Sequence, residues 1–468
     1  MLNLSISEIA RIVAGRVRPE GIPGGTVPAG CSIDTRSMSP GDLFFALKGE
    51  HADGHEFVAE AAARGAAGAV VERPVALAGA GLPQVVVDST LDALRRLAAH
   101  VRGRVDIPVV AVTGSNGKTT TKEMTAAVLS LRHAVHKNPG NYNNMIGVPL
   151  TLLGLEESTD LLITELGSNH MGEIMQLARL VRPEVGVLTN TGRAHVGLFG
   201  SFENAVREKT DLLRALPPSG RGVVNADSPA VLQAAKEIDI DIVTFGIEAE
   251  CDFRASGIKM GAAAGPAGPS GPGMASAFTV GGTEVRLPAP GRHNIYNALA
   301  AIATASLFGI GPDEAAGVLK DFEPVRLRIE KKAGITLIDD TYNANPDSVR
   351  AVLEVLLAAE AERRIFVMGE MLELGAFAAA LHREVGADVA GAGVDAFVCV
   401  GPAAREAADA ARETGLVEAV HFDAKDGARD YLRGRIMPGD AVLVKGSRAT
   451  GMEEISDFIR RDLMLRRA

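Results

Sequence analysis

The chain has 468 residues, 47% hydrophobic and 23% charged, too long for one core and apolar enough for about three soluble domains. Its formal charge of -10 argues against a nucleic-acid or anionic-membrane partner, so anionic substrates need local basic sites. Cys31, Cys251 and Cys399 form no metal or redox spacing, suit a reducing compartment and read as inert core residues.

Met1 to Val17 spaces Leu4, Ile6, Ile9, Ile12 and Val13 like a short amphipathic helix, without the charged-then-apolar order of a signal peptide. The most apolar long segment, Ala298 to Ile310, is too short to span a bilayer, so a cytoplasmic protein is expected, with no membrane insertion. Up to about residue 105, strand-like runs at 43–47 and 84–87 alternate with alanine-rich helical stretches, which predicts a small α/β module. Residues 106–318 are expected to form the next unit, with strands at 109–112, 161–164 and 185–189 and helices at 146–153 and 202–216. Residues 261–273, rich in Gly, Ala and Pro, read as a flexible surface insertion. From 319 to 468, buried strands at 335–338, 365–368, 396–400 and 441–444 alternate with helices at 349–359, 403–414 and 453–463. That alternation predicts a second doubly wound, Rossmann-like sheet. It has no Gly-x-Gly-x-x-Gly turn, which argues against a dinucleotide there.

The most informative stretch is the strand 109–112 running into Thr113-Gly114-Ser115-Asn116-Gly117-Lys118-Thr119-Thr120. Gly114 and Gly117 let backbone N–H groups converge on polyphosphate oxygens, Lys118 adds a point charge, and the Thr119 or Thr120 hydroxyl suits Mg²⁺. Val112 stands where the general motif has its first glycine. Glu165 and His195 each follow a strand of the same sheet, so a carboxylate, a hydroxyl and an imidazole can share a metal. Lys209, with Glu203, Glu208 and Asp211 nearby, reads by itself as part of a solvated, charge-paired helix face.

Asn138, Asn141, Asn143 and Asn144 crowd one loop, suiting either turn formation or a polar, multiply oxygenated ligand. His293, Asn294 and Asn297 open a helix after Gly291-Arg292, as a base or phosphate grip or with Asn294 as an N-cap. Arg326 and Arg328 share a face if they lie in a strand, where both guanidiniums can reach a phosphate. Lys445-Gly446-Ser447-Arg448 follows the last buried strand, a position that favours ligand contact.

In this order the segments resemble the Mur ligases. The marks are Ser32-Ile33-Asp34-Thr35-Arg36, Pro40 to Gly49, Asp53-Gly54-His55, the phosphate loop, Asn141 to Asn144, Glu165 to His170, Thr189-Asn190 through His195, Gly291 to Asn294, Asp339 to Pro346, and Lys445 to Arg448. Tyr342 to Pro346 and Gly369 to Gly375 resemble the dipeptide-adding branch, and the Asp-Asn-Pro-Arg clamp of its sister is absent.

The resemblance implies an N-terminal domain (1–105) for a UDP-sugar peptide, a central ATPase domain (106–318) and a C-terminal domain (319–468) for the amine and nucleotide closure. It implies ATP and two Mg²⁺ as cofactors, UDP-N-acetylmuramoyl-tripeptide and D-Ala-D-Ala as small-molecule substrates, and a monomer. It assigns Lys118, Glu165, His195 and Lys209 to catalysis, with Thr119, Glu165, His195 and a carbamylated Lys209 on the metals. ATP falls to residues 114–120 with His293, Asn294, Asn297, Arg328, Asp340 and Asn343. The UDP-sugar peptide falls to Ser32, Asp34, Thr35, Arg36, Lys48, Asp53, His55, Asn138, Asn141, Asn143 and Asn144. The D-Ala-D-Ala side falls to Tyr342, Asn345, Lys445, Ser447 and Arg448. Two departures stand out: Gly197 where the family often has Glu, and Leu327 where Gly commonly precedes the arginine. The competing readings are a folylpolyglutamate or cyanophycin synthetase, against which the Ser-x-Asp-Thr-Arg segment speaks, and a phosphate-loop switch.

Overall fold

In a computed structural model that describes residues 3–19, 25–49, 52–77, 81–192, 196–261 and 274–464, the strand Val109–Thr113 is buried throughout. Successive side chains of a strand face opposite sides. Val110 and Val112 therefore pack with Met124, Val128, Ile295 and Leu299 of the helices Lys118–Leu129 and Arg292–Ser306. Val109 and Ala111 face Leu177, Val181, Leu212 and Leu213 on the other side.

This strand is the pivot of a seven-stranded sheet, all of whose registered pairs are parallel. Leu161–Glu165 lies on one side of it and Val185–Leu188 on the other. The chain thus builds outward in one direction and then crosses to the opposite side, which opens a crevice at the carboxyl ends of the strands. Ser256–Gly261, Ala275–Val280 and Thr283–Leu287 add a small antiparallel sheet. The insertion expected between its first two strands lies, from residue 262 on, outside the described residues.

The N-terminal sheet has five strands, with Arg16–Arg18 antiparallel to Gln84–Val86 and the rest parallel. The amphipathic start forms the helix Ile6–Ile12, closed by a Ser5–Glu8 capping box. The helix Thr90–Gly103 shares its apolar face, through Leu94, Leu97 and Val101, with the core under the central sheet.

The C-terminal sheet has six strands. Ile365 and Val367 pack on one face with Ile455 and Ile459, and Phe366 and Met368 on the other with Leu353 and Val385, as a sheet covered on both sides requires. Its edge is an antiparallel hairpin, Arg328–Lys332 with Ile335–Asp340, whose polar first strand carries no apolar alternation to betray it. Among the described residues no helix is long and apolar enough to cross a membrane. Cys399 is buried as expected, whereas Cys31 and Cys251 are only partly so. Burial pushes the thiols up, to about 12 for Cys31 and about 11 for Cys251, so they stay protonated and unreactive at neutral pH.

Candidate active site

The phosphate loop closes on two glycines that nothing larger can replace. Gly114 and Gly117 have φ of +150° and +81°. A Cβ on them would lie 2.0 Å from Thr189 Oγ1 and 2.2 Å from Asn297 Oδ1. The end of the neighbouring strand clamps the loop: Ser115 N donates to Asn190 O (3.0 Å), Asn116 N to Asn190 Oδ1 (2.9 Å), and Thr189 Oγ1 to Asn116 O (2.6 Å). Gly192 N donates to Ser115 Oγ (3.0 Å). Lys118 curls back onto the carbonyls of Gly114 (2.8 Å) and Ser115 (3.2 Å). Burial lowers its pKa against the opposing pull of the Glu165 carboxylate.

Of the two threonines, Thr119 is the one turned inward. Its Oγ1 donates to Glu165 Oε2 (2.7 Å), and Asn143 Nδ2 donates to Glu165 Oε1 (2.6 Å). Among the described residues Thr120 makes no such contact, and it is half-buried. Among the described residues no group of three or more His, Cys, Asp or Glu side chains could hold a metal. One buried carboxylate beside a threonine hydroxyl nevertheless fits Mg²⁺, which takes few protein oxygens and completes its shell with substrate phosphates and water. His195, expected among the ligands, lies outside the described residues.

Lys209 overturns the solvated-face reading. It lies in the helix Phe202–Arg214, is 2% exposed, donates to Ser168 Oγ (2.9 Å) and sits 5.3 Å from the Phe199 ring centroid. Burial, reinforced by the Lys118 charge, brings its pKa down to about 7. A neutral amine, the form that captures CO₂, is thereby available near neutrality. Its neighbour Glu208 is buried too, accepting from Gly172 N (2.5 Å) and Ile174 N (2.8 Å) at the start of the helix Glu173–Val181.

Arg326 and Arg328 do not share a face. Arg326 sits in a bend before the strand, and its Nη2 donates to Thr119 Oγ1 (2.9 Å) while its guanidinium stacks over the Tyr342 ring. Arg328, the expected nucleotide arginine, is exposed at the first position of the edge strand opposite Asp339. The bend before the strand breaks the two-residue periodicity.

From the C-terminal domain, Asn345 caps the helix Pro346–Leu357 and exchanges amide hydrogen bonds with Asn116 (2.8 and 3.3 Å). It thus faces the phosphate loop. Lys445 is buried against Asp340 (2.5 Å) and Asn343 O (2.8 Å), so two residues expected on different ligands are partners of each other. Asn343 is exposed and its Oδ1 accepts from Ala344 N. The Ser447 hydroxyl accepts from Leu372 N (2.9 Å). Arg448 is exposed, 5.9 Å from the Tyr342 ring. His293 is held down to about 4 by burial and by Lys445, hence neutral, and its Nδ1 is buried without a partner among the described residues. Asn294 does not cap its helix: Gly291 holds that position, and Asn294 Nδ2 donates to Pro290 O (2.8 Å). Asn297 Oδ1 accepts from Thr121 Oγ1 (3.2 Å) beside Gly117.

The asparagine loop makes hydrogen bonds within the chain. Asn138 Oδ1 accepts from Glu165 N (2.8 Å), Asn143 holds the carboxylate, and Asn144 Oδ1 accepts from Ile146 N and Gly147 N just ahead of the helix Gly147–Leu153. Asn141 is exposed. On the N-terminal sheet, Ser32 and Lys48 sit at the same carboxyl edge. Ser32 Oγ accepts from Asp34 N, and Thr35 is buried. Arg36 grips Asp34 through Nε and Nη2 and brings that carboxyl down to about 2. Asp53 binds His55 and Arg73, while Glu72 N donates to His55 Nε2, so His55 is fully engaged within its domain.

Three family models match in chain order: the Mur ligase family catalytic domain over residues 29–102, the Mur ligase middle domain over 112–305, and the glutamate ligase domain of Mur ligases over 325–448. The chain is 37% identical over 462 residues to the UDP-N-acetylmuramoyl-tripeptide–D-alanyl-D-alanine ligase of Escherichia coli K12, covering 97% of this chain and 98% of that one. It is similar to the crystal structure of MurF from Acinetobacter baumannii (TM-score 0.86, 33% identity, 98% and 99% coverage). It is also similar to the MurF ligase of Thermotoga maritima in complex with ADP (TM-score 0.79, 26% identity, 94% and 98% coverage).

Proposed function

Because the chain belongs to the Mur ligase family, we infer that it joins D-alanyl-D-alanine to UDP-N-acetylmuramoyl-tripeptide in an ATP-driven step of peptidoglycan precursor synthesis. The observation that carries the reading is the convergence of Lys118, Thr119, Glu165 and Lys209 on the central sheet with Arg326 at the entry to the C-terminal domain.

A carboxylate is a poor electrophile and must be activated. In the proposed sequence a tripeptide carboxylate oxygen attacks the γ-phosphorus, the bond to ADP breaks, and an acyl phosphate forms. The neutral dipeptide amine then attacks the acyl carbon, and phosphate leaves, taking up the proton the nitrogen loses as the amide forms. Lys118 and the N–H groups of Gly117, Lys118 and Thr119 would cradle the β- and γ-phosphates, and Arg326, which reaches Thr119, would add charge beside them. Glu165, Thr119 and a carbamylated Lys209 would hold Mg²⁺, which supplies charge neutralisation when bound. In this reading the N-terminal domain seats the UDP-sugar and the C-terminal domain the amine, and their approach keeps water from the acyl phosphate.

Mass spectrometry of mixtures with ATP, D-Ala-D-Ala and a tripeptide ending in meso-diaminopimelate or lysine tests this. The expected product is the corresponding pentapeptide, formed with ADP and phosphate only when all three substrates are present. Hydrolysis stimulated by a protein partner without any amine would overturn the ligase reading. Lys118→Ala is expected to fold with an unchanged circular dichroism spectrum and to lose ligation.

A further inference from the structure

Lys122, one turn into the helix that follows the phosphate loop, is 0% exposed. Its ammonium donates to Asn138 O (2.7 Å) and Gly140 O (3.1 Å) and lies 2.9 Å from Glu123 Oε1. These three partners match the three N–H bonds of an ammonium. Glu123 is shared with Lys137. Burying a cation is costly even when it is paired, and a purely structural site is filled as well by an apolar side chain.

What the cation grips is the segment that holds Glu165 at both ends. Asn138 Oδ1 accepts from Glu165 N (2.8 Å), and five residues on, Asn143 Nδ2 donates to Glu165 Oε1 (2.6 Å). The other end of the Asn138 carboxamide, Nδ2, has no partner among the described residues, so the orientation of that side chain depends on the backbone beneath it. Lys122 fixes that backbone.

We propose that Lys122 is a positioning residue for the Glu165 carboxylate, acting through the 138–143 loop to aim the carboxylate at a divalent cation. The inference rests on the reading of Glu165 as a cation ligand. Removing Lys122 releases Asn138 and Gly140, loosens both holds on Glu165, and weakens the cation while leaving the amine site untouched.

The test is the affinity of the ADP-saturated enzyme for Mn²⁺, read from the electron paramagnetic resonance signal of the free ion. Lys122→Met is expected to weaken Mn²⁺ by ~10-fold, the low end of the usual effect of losing a group that orients a ligand. The Glu165 amide should exchange faster in the nucleotide-free protein, and the KM for D-Ala-D-Ala should stay unchanged. In the Lys122→Met, Asn143→Ala double variant the two losses should be less than additive, since both act on one carboxylate. Glu165→Gln separates the two levels of the argument. Full Mn²⁺ affinity in Glu165→Gln would sink the ligand assignment itself. Lost affinity there with wild-type affinity in Lys122→Met would sink only the role of Lys122. If Lys122→Met does not accumulate as folded protein, Lys122→Gln carries the same measurement, and unchanged Mn²⁺ affinity in it overturns the proposal.

Discussion

At the scale of single residues, Lys209 concentrates the most chemistry. Its folded-state pKa of about 7 lies below the ordinary lysine value of ~10.4. Between those values the unfolded chain binds the extra proton and the folded chain does not, so stability attributable to this group rises with pH across that window. Below about pH 7 both states are protonated, and the full penalty of a buried cation applies. In CO₂-free buffer, Lys209→Met is therefore expected to melt higher than the parent at pH 6.5, with the gain shrinking toward pH 10 in calorimetric scans. With ¹³CO₂ present, a carbamate resonance should grow in the parent as pH passes through about 7 and be missing from the variant. A gain that grew with pH would contradict the burial argument.

At the scale of elements, the start of the helix Glu173–Val181 depends on a carboxylate far away in sequence. Gly172, in the left-handed conformation, caps the helix without a side chain, and Glu208 supplies the acceptor instead. Glu208→Ala leaves two N–H groups without their partner, at a cost of ~1–3 kcal/mol for each that stays buried. A lower melting temperature is expected, with faster exchange of the Gly172 and Ile174 amides; unaltered exchange would refute the cap. Buried parallel strands, the phosphate loop and the helices that follow them announce themselves through local apolar runs and glycine spacing, which is why the three-domain α/β architecture could be read directly. Arg326 meets Thr119 across 207 residues, and nothing in its neighbourhood distinguishes it from Arg328. The burial of Lys209 and Lys122 was equally hidden, because a charged residue in an amphipathic helix reads as solvated until tertiary packing encloses it. Among the asparagines the residue type points to polar contacts, but only the fold shows that Asn138 and Asn143 direct hydrogen bonds to Glu165.

At the scale of the whole molecule, the central and C-terminal domains meet through close backbone approaches. A Cβ on Gly197 would lie 2.4 Å from Gly375 N and from the Leu374 carbonyl carbon, and one on Gly192 would lie 2.1 Å from Asp347 Oδ2. The Gly197 obstacles are main chain and cannot rotate away, so any side chain at position 197 would hold the domains apart here. Gly197→Val is expected to increase the radius of gyration in X-ray scattering and to slow ligation, with ADP still bound by the central domain; an unaltered scattering profile together with an unaltered rate would refute the contact. The Asn116–Asn345 exchange adds a different property to the same junction. Two carboxamides carry no net charge and do not titrate, so their grip neither fades as ionic strength shortens the Debye length nor changes between mildly acidic and alkaline media. At this point the machine that handles a crowd of phosphates and carboxylates is latched by a clasp blind to all of them.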